Sequence, residues 1–489
     1  MNCPSCGIEI PLGARFCMSC GASLAASTPP PSSSANEIAP SAGFVGRDQE
    51  MRELRSALED TWSGKGGMVL LAGEPGIGKT RIAQELSAYA ETIGVRVLWG
   101  RCYEGEGAPP YWPWVQPIRS YVQQRCPEQL RSEMGSGAVS IAEIIPEVKG
   151  KLPELKPAPV LEPEQARFRM FDSITTFLNN AARSQPLMLV LDDLHWADQS
   201  SLMLLEFIAQ EIEGVPLLLM GTYRDVEVSG SHPLSLSLGS LVRQQGFSGM
   251  PLEGLSQDEV RQLLETTAGV SPPLGLVKAI YGRTEGNPLF VSEITRMLIR
   301  EGLMEDEEPL IGIPGGISET INRRLSRLSS GCKRVLTTAS VIGRGFDFGL
   351  LRALETDLTE DQLLQDIDEA LEAHIIEEVP GAAEGYQFIH ALIQETLATG
   401  LSSSRRVRLH ARIGEALEIL YENRVEAHPA ELANHFVEAA PVLGPQKLVH
   451  YCLLAGERAL ETYAYREAQD FFEQALQAKD IDLIDTEPA

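Results

Sequence analysis

The sequence predicts an α/β fold built around a parallel sheet. Three observations carry that expectation. Short apolar runs of strand character recur at residues 68–72, 95–99, 187–191 and 216–220. The first run feeds a glycine-rich turn and then a stretch with Ile82, Leu86 and Tyr89 at helical spacing. The third ends in a pair of carboxylates, Asp192 and Asp193. All four runs are far too short to cross a bilayer and read as buried strands.

The bulk properties set the frame. At 489 residues the chain suggests roughly three domains or more. Hydrophobic residues at 43% and charged residues at 22% supply apolar mass for packed cores and exclude a disordered chain. The net charge of −27 repels phosphate backbones, so non-specific nucleic-acid binding by the whole molecule is disfavoured unless local basic clusters override it; the surplus Asp and Glu solvate helix surfaces. The N-terminus opens Met-Asn-Cys-Pro, without a basic-then-apolar leader, and a cytoplasmic location is expected.

Four of the eight cysteines fall in the first twenty residues. Cys3-Pro-Ser-Cys6-Gly7 and Cys17-Met-Ser-Cys20-Gly21 are two knuckles, each able to turn two thiolates toward one ion. Four sulfurs suit tetrahedral zinc, and metal binding would supply the folding energy that so short a segment cannot obtain from a core. Residues 1–23 therefore read as a zinc ribbon with no chemistry of its own. Residues 24–42, rich in Pro, Ser and Ala, read as a flexible tether.

The strand at 68–72 runs into Gly73-Glu74-Pro75-Gly76-Ile77-Gly78-Lys79-Thr80-Arg81, and a helix follows. Strand, glycine loop and helix together form the Walker A arrangement. The glycines let backbone N–H groups turn inward on phosphates, and the helix N-terminus favours negative charge. Lys79 offers a point charge to the β and γ phosphates of ATP, and Thr80 a hydroxyl to Mg2+. The run at 187–191 ending in Asp192-Asp193 is the Walker B pattern: Asp192 as Mg2+ ligand, Asp193 as general base toward water. The extra strand at 95–99, between the two motifs, and the carboxylate beside the magnesium ligand point to the additional-strand class of P-loop NTPases. In that class the strand at 216–220 ends near the γ-phosphate. Thr222 or Arg224 is then the sensor there, Arg224 stabilising transition-state charge.

Phe44-Val45-Gly46-Arg47, the Walker A segment, Leu191-Asp192-Asp193-Leu194-His195-Trp196-Ala197-Asp198 and Gly221-Thr222-Tyr223-Arg224-Asp225 together resemble the STAND-type ATPases. The nearest likeness is to the ATPase modules of large LuxR-type regulators and multidomain nucleotide cyclases. The resemblance spans about residues 43 to 480. It implies that Gly286-Asn287-Pro288 follows a helical lid, with Pro288 near the adenine. It also implies that His390, in Phe388-Ile-His390, reads the phosphates, where a structural histidine is the other reading. Arg47 falls at the adenine or phosphate edge, and His195 and Trp196 either position Asp193 or pack the turn.

The expected organisation is a P-loop core at 43–230, a helical lid at 231–310, a winged-helix domain at 311–400 and a helical, tetratricopeptide-like segment at 401–489. The Pro- and Trp-rich stretch from Tyr103 to Tyr121 is expected to fold its aromatics under the sheet edge. Arg323, Arg324, Arg327, Lys333 and Arg334 could touch DNA or serve regulatory packing; the resemblance favours packing. Ala459, Tyr463, Ala468, Phe472 and Ala475 give about one repeat, which cannot bury its own face. The function these features imply is an ATP-binding, slowly hydrolysing signalling switch. Its partners are ATP and ADP, and a protein that docks on the helical segment and the ribbon. A DNA-binding regulator and the regulatory part of a cyclase system are the alternatives.

Overall fold

The computed structural model describes residues 44–102, 108–156, 161–228, 230–304, 317–379, 384–421 and 427–479. The zinc-ribbon cysteines Cys3, Cys6, Cys17 and Cys20, and the linker after them, lie outside these residues.

The core is a five-stranded, wholly parallel sheet. Its strands are β1 (Gly67–Ala72), β2 (Arg96–Arg101), β3 (Leu187–Asp192), β4 (Leu217–Tyr223) and β5 (Phe247–Pro251). Their spatial order is β2-β3-β4-β1-β5. The strand that precedes the glycine loop and the strand that ends in Asp192 are therefore separated by β4, the mark of the additional-strand arrangement. In register, Leu70 faces Gly221 on β4, and Leu191 faces Gly221 from the other side.

Alternation explains why these strands are apolar throughout. Val69, Leu71, Met188, Val190, Leu218 and Met220 point to one face. There they meet Leu54 and Leu58 of the Asp48–Trp62 helix and Ile82 and Leu86 of the Lys79–Thr92 helix. Met68, Leu70, Leu187, Leu189, Leu217 and Leu219 point to the other, against Trp114, Phe177 and Ile208. With both faces covered, polar side chains on the two central strands β3 and β4 are confined to the C-terminal ends, at Asp192 and Thr222. The aromatics of the Tyr103–Tyr121 stretch do fold under this sheet: Tyr111 and Trp114 are wholly buried.

The segment at 231–310 is not all helix. Phe247–Pro251 forms β5, the edge strand on β1, so the core sheet extends past residue 230. Its pattern misled the helical reading because only Met250 is buried and two residues of five are glycine or proline. Beyond it, helices Gln257–Ala268, Leu274–Thr284 and Pro288–Glu301 pack on one another around Val260, Leu264, Ile280 and Ile294.

Downstream, short strands β6 (Gly345–Asp347), β7 (Ile376–Glu378) and β8 (Gly385–Phe388) form an antiparallel sheet in the order β6-β8-β7. Helices Ser330–Ile342 and Glu360–Glu372 cover it through Leu336, Ile367 and Phe388. Four residues of the basic cluster here are engaged with neighbouring acids or a carbonyl. Arg324 is bound to Glu293, Arg327 to Glu301 and Arg334 to Glu355, and Lys333 donates to the Ser326 carbonyl.

Helices Ser403–Tyr421, Pro429–Leu443, Pro445–Glu461 and Tyr465–Gln477 share a further core around Ile413, Phe436 and Cys452. The close approach of the last pair depends on Gly456, where a Cβ would sit 2.4 Å from the Phe472 ring. The turn between that pair also enters the core of the sheet domain: Ala459, Ala464 and Ala468 belong to its buried cluster. Thus the last helix pair buries its face on the preceding helices and on the sheet domain together. Glu467 seals the contact, accepting from Ser200 N at 3.0 Å and Ser200 Oγ at 2.8 Å at the start of the Gln199–Glu211 helix. No helix among the described residues is long and apolar enough to cross a membrane.

Asp198 caps that same helix, accepting from Ser201 N at 2.8 Å. Burial, and then the neighbouring Glu467 carboxylate, push its pKa up from 3.8 to about 7. The folded protein therefore holds this proton more tightly than the unfolded chain. The stability it contributes is present in acid and is lost as pH rises through about 7. Asp198→Asn keeps the cap without the charge. It should gain thermal stability over the unmutated protein as pH is raised from about 5 to about 8, by on the order of a few degrees in Tm. A difference in Tm that does not change with pH would contradict this.

Candidate functional site

The site forms at the C-terminal ends of β1, β3 and β4, where backbone groups leave the sheet and side chains converge. Between Ala72 and Lys79 the chain turns through Gly73, Gly76 and Gly78, all in the left-handed region at φ 153°, 79° and 104°. A side chain at Gly76 would also meet Leu289 Cδ2 at 2.8 Å. The loop ends in Lys79, the first residue of its helix, whose buried ammonium donates to the carbonyls of Gly73 at 2.7 Å and Glu74 at 2.9 Å. Burial lowers its pKa, while Asp193 and Asp192 oppose the shift.

Beneath the loop, Asp192 is wholly buried at the end of β3. Two hydroxyls satisfy it. Thr80 Oγ1 lies 3.1 Å from Oδ1 and 3.2 Å from Oδ2, and Thr222 Oγ1 donates to Oδ1 at 2.7 Å. Thr222 in turn accepts from Asp193 N at 2.9 Å. One hydroxyl on β4 thereby fixes both carboxylate residues at the end of β3. Asp193 adopts φ 60°, a left-handed conformation uncommon for a non-glycine residue, which swings its side chain out of the strand direction. Its carboxyl faces a cavity of about 320 Å³, and burial followed by the adjacent Asp192 raises its pKa to about 6.

That cavity gathers Lys79, Thr80, Arg81, Asp193 and Arg224, all singled out from the sequence, with His390 from the far domain. His390 is half-buried and its pKa is lowered to about 4 by burial and then by Arg344, so it faces the cavity as a neutral imidazole. Arg224 sits at the end of β4 over the Trp196 ring, 4.7 Å from its centroid, and pairs with Glu227 at 2.6 Å and Glu395 at 3.1 Å. His195 packs against Trp196 with ring centroids 4.3 Å apart, 3.6 Å from Glu227, and does not line the cavity. Burial, then Arg224, lowers its pKa to about 3. The pair therefore packs the turn rather than positioning Asp193.

A second cavity of about 560 Å³ lies on the other side of Pro75, lined among others by Ile77, Leu252, Asn287 and Phe290. Asn287 caps its helix and donates to the Pro75 carbonyl at 3.0 Å. Pro288 itself lines neither cavity; its neighbours Asn287 and Leu289 do. Arg47 also does not open into them. Its guanidinium bonds the carbonyls of Ile77 at 3.2 Å and Glu253 at 2.5 Å, tying the glycine loop to the chain after β5.

Two cationic cavity residues escaped the sequence reading. Arg101, at the end of β2, lies 3.8 Å from Asp192 Oδ2 and donates to Gln387 on β8 at 2.9 Å. Its place at the end of the strand next to β3 was a usable signal. Arg344, just before β6, lies 3.2 Å from Asp193 Oδ2. No local pattern marks it, since it reaches the site only through tertiary packing.

Thr80 and Asp192 are hard oxygen donors, the chemistry that Mg2+ prefers, and their pairing passes between strands that are not neighbours. Residues 43–220 match the model of the AAA ATPase domain, and residues 2–24 that of a zinc-ribbon domain. The chain therefore carries an AAA-type P-loop ATPase domain behind an N-terminal zinc ribbon. It is 25% identical over 465 residues to the uncharacterized protein R02095 of Rhizobium meliloti (strain 1021), covering 88% of this chain and 42% of that one. It is 22% identical over 327 residues to the peroxide stress-activated histidine kinase mak3 of Schizosaccharomyces pombe, covering 62% of this chain and 13% of that one. The chain thus spans less than half the length of the relatives it matches. Among solved structures, it is similar to a signal transduction ATPase with numerous domains (STAND) from Pyrococcus horikoshii that has a tetratricopeptide repeat sensor. That likeness has a TM-score of 0.46 at 16% identity, over 91% of this chain and 59% of that one. A Walker-type ATPase of Pyrococcus abyssi matches at TM-score 0.36 and 14% identity, over 74% and 99%.

Thr222→Val removes the hydroxyl shared by Asp192 and Asp193 N and leaves both buried groups short of a partner. It should cost about 1–3 kcal/mol in chemical denaturation, and Thr222→Ser should recover most of that. Equal losses for the two variants would contradict the role of the hydroxyl.

Proposed function

We propose that this chain is an ATP-dependent signalling switch that hydrolyses ATP slowly. The observation that carries the reading is the convergence of Thr80 and Asp192, 3.1 Å apart, one on the helix after β1 and the other at the end of β3, beside the buried Lys79. Backbone amides of Gly73–Gly78 and the helix that starts at Lys79 would hold the phosphates. Leaving the two carbonyls it now bonds, the Lys79 ammonium can bind phosphate oxygens instead. Thr80 and Asp192 would hold Mg2+, which neutralises phosphate charge when bound. Asp193 takes the proton of the attacking water as the new oxygen–phosphorus bond forms and the bond to the bridging oxygen breaks, releasing ADP and phosphate. Arg224 would stabilise charge on the transferred group. The larger cavity, walled by Ile77, Leu252 and Phe290, suits the nucleoside end.

The helices from Gln257 to Glu301 act in this reading as the lid, 311–400 as a winged-helix packing element and 401–489 as the start of a tetratricopeptide-like docking surface. Nucleotide state would select between packings of these parts. The four cysteines of the ribbon would hold zinc and present a protein-docking knob. A DNA-binding role is less well supported, because the basic residues that would serve it are engaged with Glu293, Glu301 and Glu355.

Purified protein should carry adenine nucleotide that is lost in Lys79→Ala, as read by chromatography of the denatured supernatant. Phosphate release should fall at least about a hundredfold in Asp193→Asn while ATP binding persists. Phosphate release by Asp193→Asn at the unmutated rate would rule out the assignment of the base.

A further inference from the structure

Five cations border the phosphate-side cavity: Lys79, Arg81, Arg101, Arg224 and Arg344. The first four belong to the sheet domain, Lys79 and Arg81 on the helix after β1, and Arg101 and Arg224 at the ends of β2 and β4. Arg344 does not; it comes from the turn that joins the Ser330–Ile342 helix to β6. Its backbone is fixed there, because its carbonyl accepts from Phe388 N at 2.8 Å and the preceding Gly343 has φ 149°. Its side chain reaches back across the cavity to Asp193, with Nη1 3.2 Å from Oδ2. Among the described residues, no other side chain forms an ion pair with Asp193.

The contact uses little of what a guanidinium offers. An arginine presents a planar fork that can bind two oxygens at once. Here a single nitrogen meets a single oxygen, and Nε is buried without a hydrogen-bond partner. A buried donor left unsatisfied carries a cost that a second acceptor in the cavity would relieve. Asp193, meanwhile, is held by the same contact through which it would have to act on water.

We propose that Arg344 is an in-chain sensor of the terminal phosphate, paired with Asp193 until a triphosphate competes for it. This rests on the ATP reading above and specifies how the site distinguishes ATP from ADP. With ADP the pair persists: Asp193 stays engaged and β6 stays anchored over the glycine loop. With ATP the fork turns to the terminal phosphate, its second nitrogen gains an acceptor, and Asp193 is released to take a proton from water. One residue thus couples the packing of the β6-β8-β7 domain to the number of phosphates, because a fork turned onto two oxygens of the terminal phosphate no longer faces Asp193.

The cycle of R344Q, D193N and the double variant tests this in the full-length chain. Affinities for ADP and for a non-hydrolysable ATP analogue are measured with Mg2+ by calorimetry, with R344K as the charge-preserving control. R344Q should weaken the analogue about tenfold and ADP less than about threefold, and R344K should recover part of the loss. D193N should tighten the analogue about tenfold by removing the competitor, and this gain should shrink to less than about threefold when R344Q is also present. If D193N tightens the analogue equally with and without R344Q, or if R344Q leaves both affinities unchanged, the proposal is overturned while the ATP reading stands. An unmutated protein that binds neither nucleotide overturns both. A merely structural role for Arg344 would weaken both ligands alike and give no coupling, which would also overturn the proposal.

Discussion

A carboxylate with no exposed surface, at the end of a strand whose other side chains are all apolar, has to be answered by its neighbours. Asp192 is that group, and the arrangement around it follows from meeting its demand. Thr80 arrives from the helix after β1 and Thr222 from β4, and each brings a hydroxyl within about hydrogen-bond distance of it. Because β4 lies between β1 and β3, the sheet order is what makes the three-way meeting possible. Thr222 also holds the backbone of Asp193, so the same hydroxyl that quiets one carboxylate aims the next into the cavity. Neither threonine could be replaced by an apolar residue of similar shape without leaving charge in the core.

The sheet and its motifs were legible because their patterns are local. Apolar runs bounded by glycine or carboxylate specify buried strands and where they end, and the glycine loop specifies its own backbone. The order of the strands followed from one extra run, at β2, and from the doubled carboxylate. What escaped was whatever depends on distant packing. β5 shows a single buried residue and so carries no strand signature, although it completes the sheet beside β1. Arg344 looks like any arginine in a turn until the β6-β8-β7 sheet folds over the glycine loop. His390 carried two readings in the sequence, and the fold places it on the cavity wall as a neutral ring, whichever role it serves. Pro288 was named where Asn287 and Leu289 make the contacts with the loop, an offset of one residue that a turn motif alone does not resolve.

The distribution of contacts also shows why the C-terminal half is more than an appendage. Arg101 bonds Gln387 of β8, Arg224 bonds Glu395, and Glu467 of the last helix bonds Ser200 in the first turn of the helix that follows the Asp192-Asp193 turn. Three charged residues therefore link distal segments to the ends of β2 and β4 and to the helix after β3. Any rearrangement of those segments must break ion pairs or hydrogen bonds that border the site, and any new charge in the site competes for the same partners. In the proposed switch these few contacts are the ones that two packings would share, in a frame too closely packed to deform by degrees.

The central claim is that Thr80 and Asp192 together hold a divalent cation on a bound nucleotide. Calorimetric titration of ATP into the full-length protein, once with Mg2+ and once with a chelator, tests it most directly when repeated with Asp192→Asn. The account predicts binding at least about tenfold tighter with Mg2+, and loss of most of that metal dependence in the variant. Affinity indifferent to Mg2+ in the unmutated protein, or an undiminished metal effect after the Asp192 substitution, would contradict it.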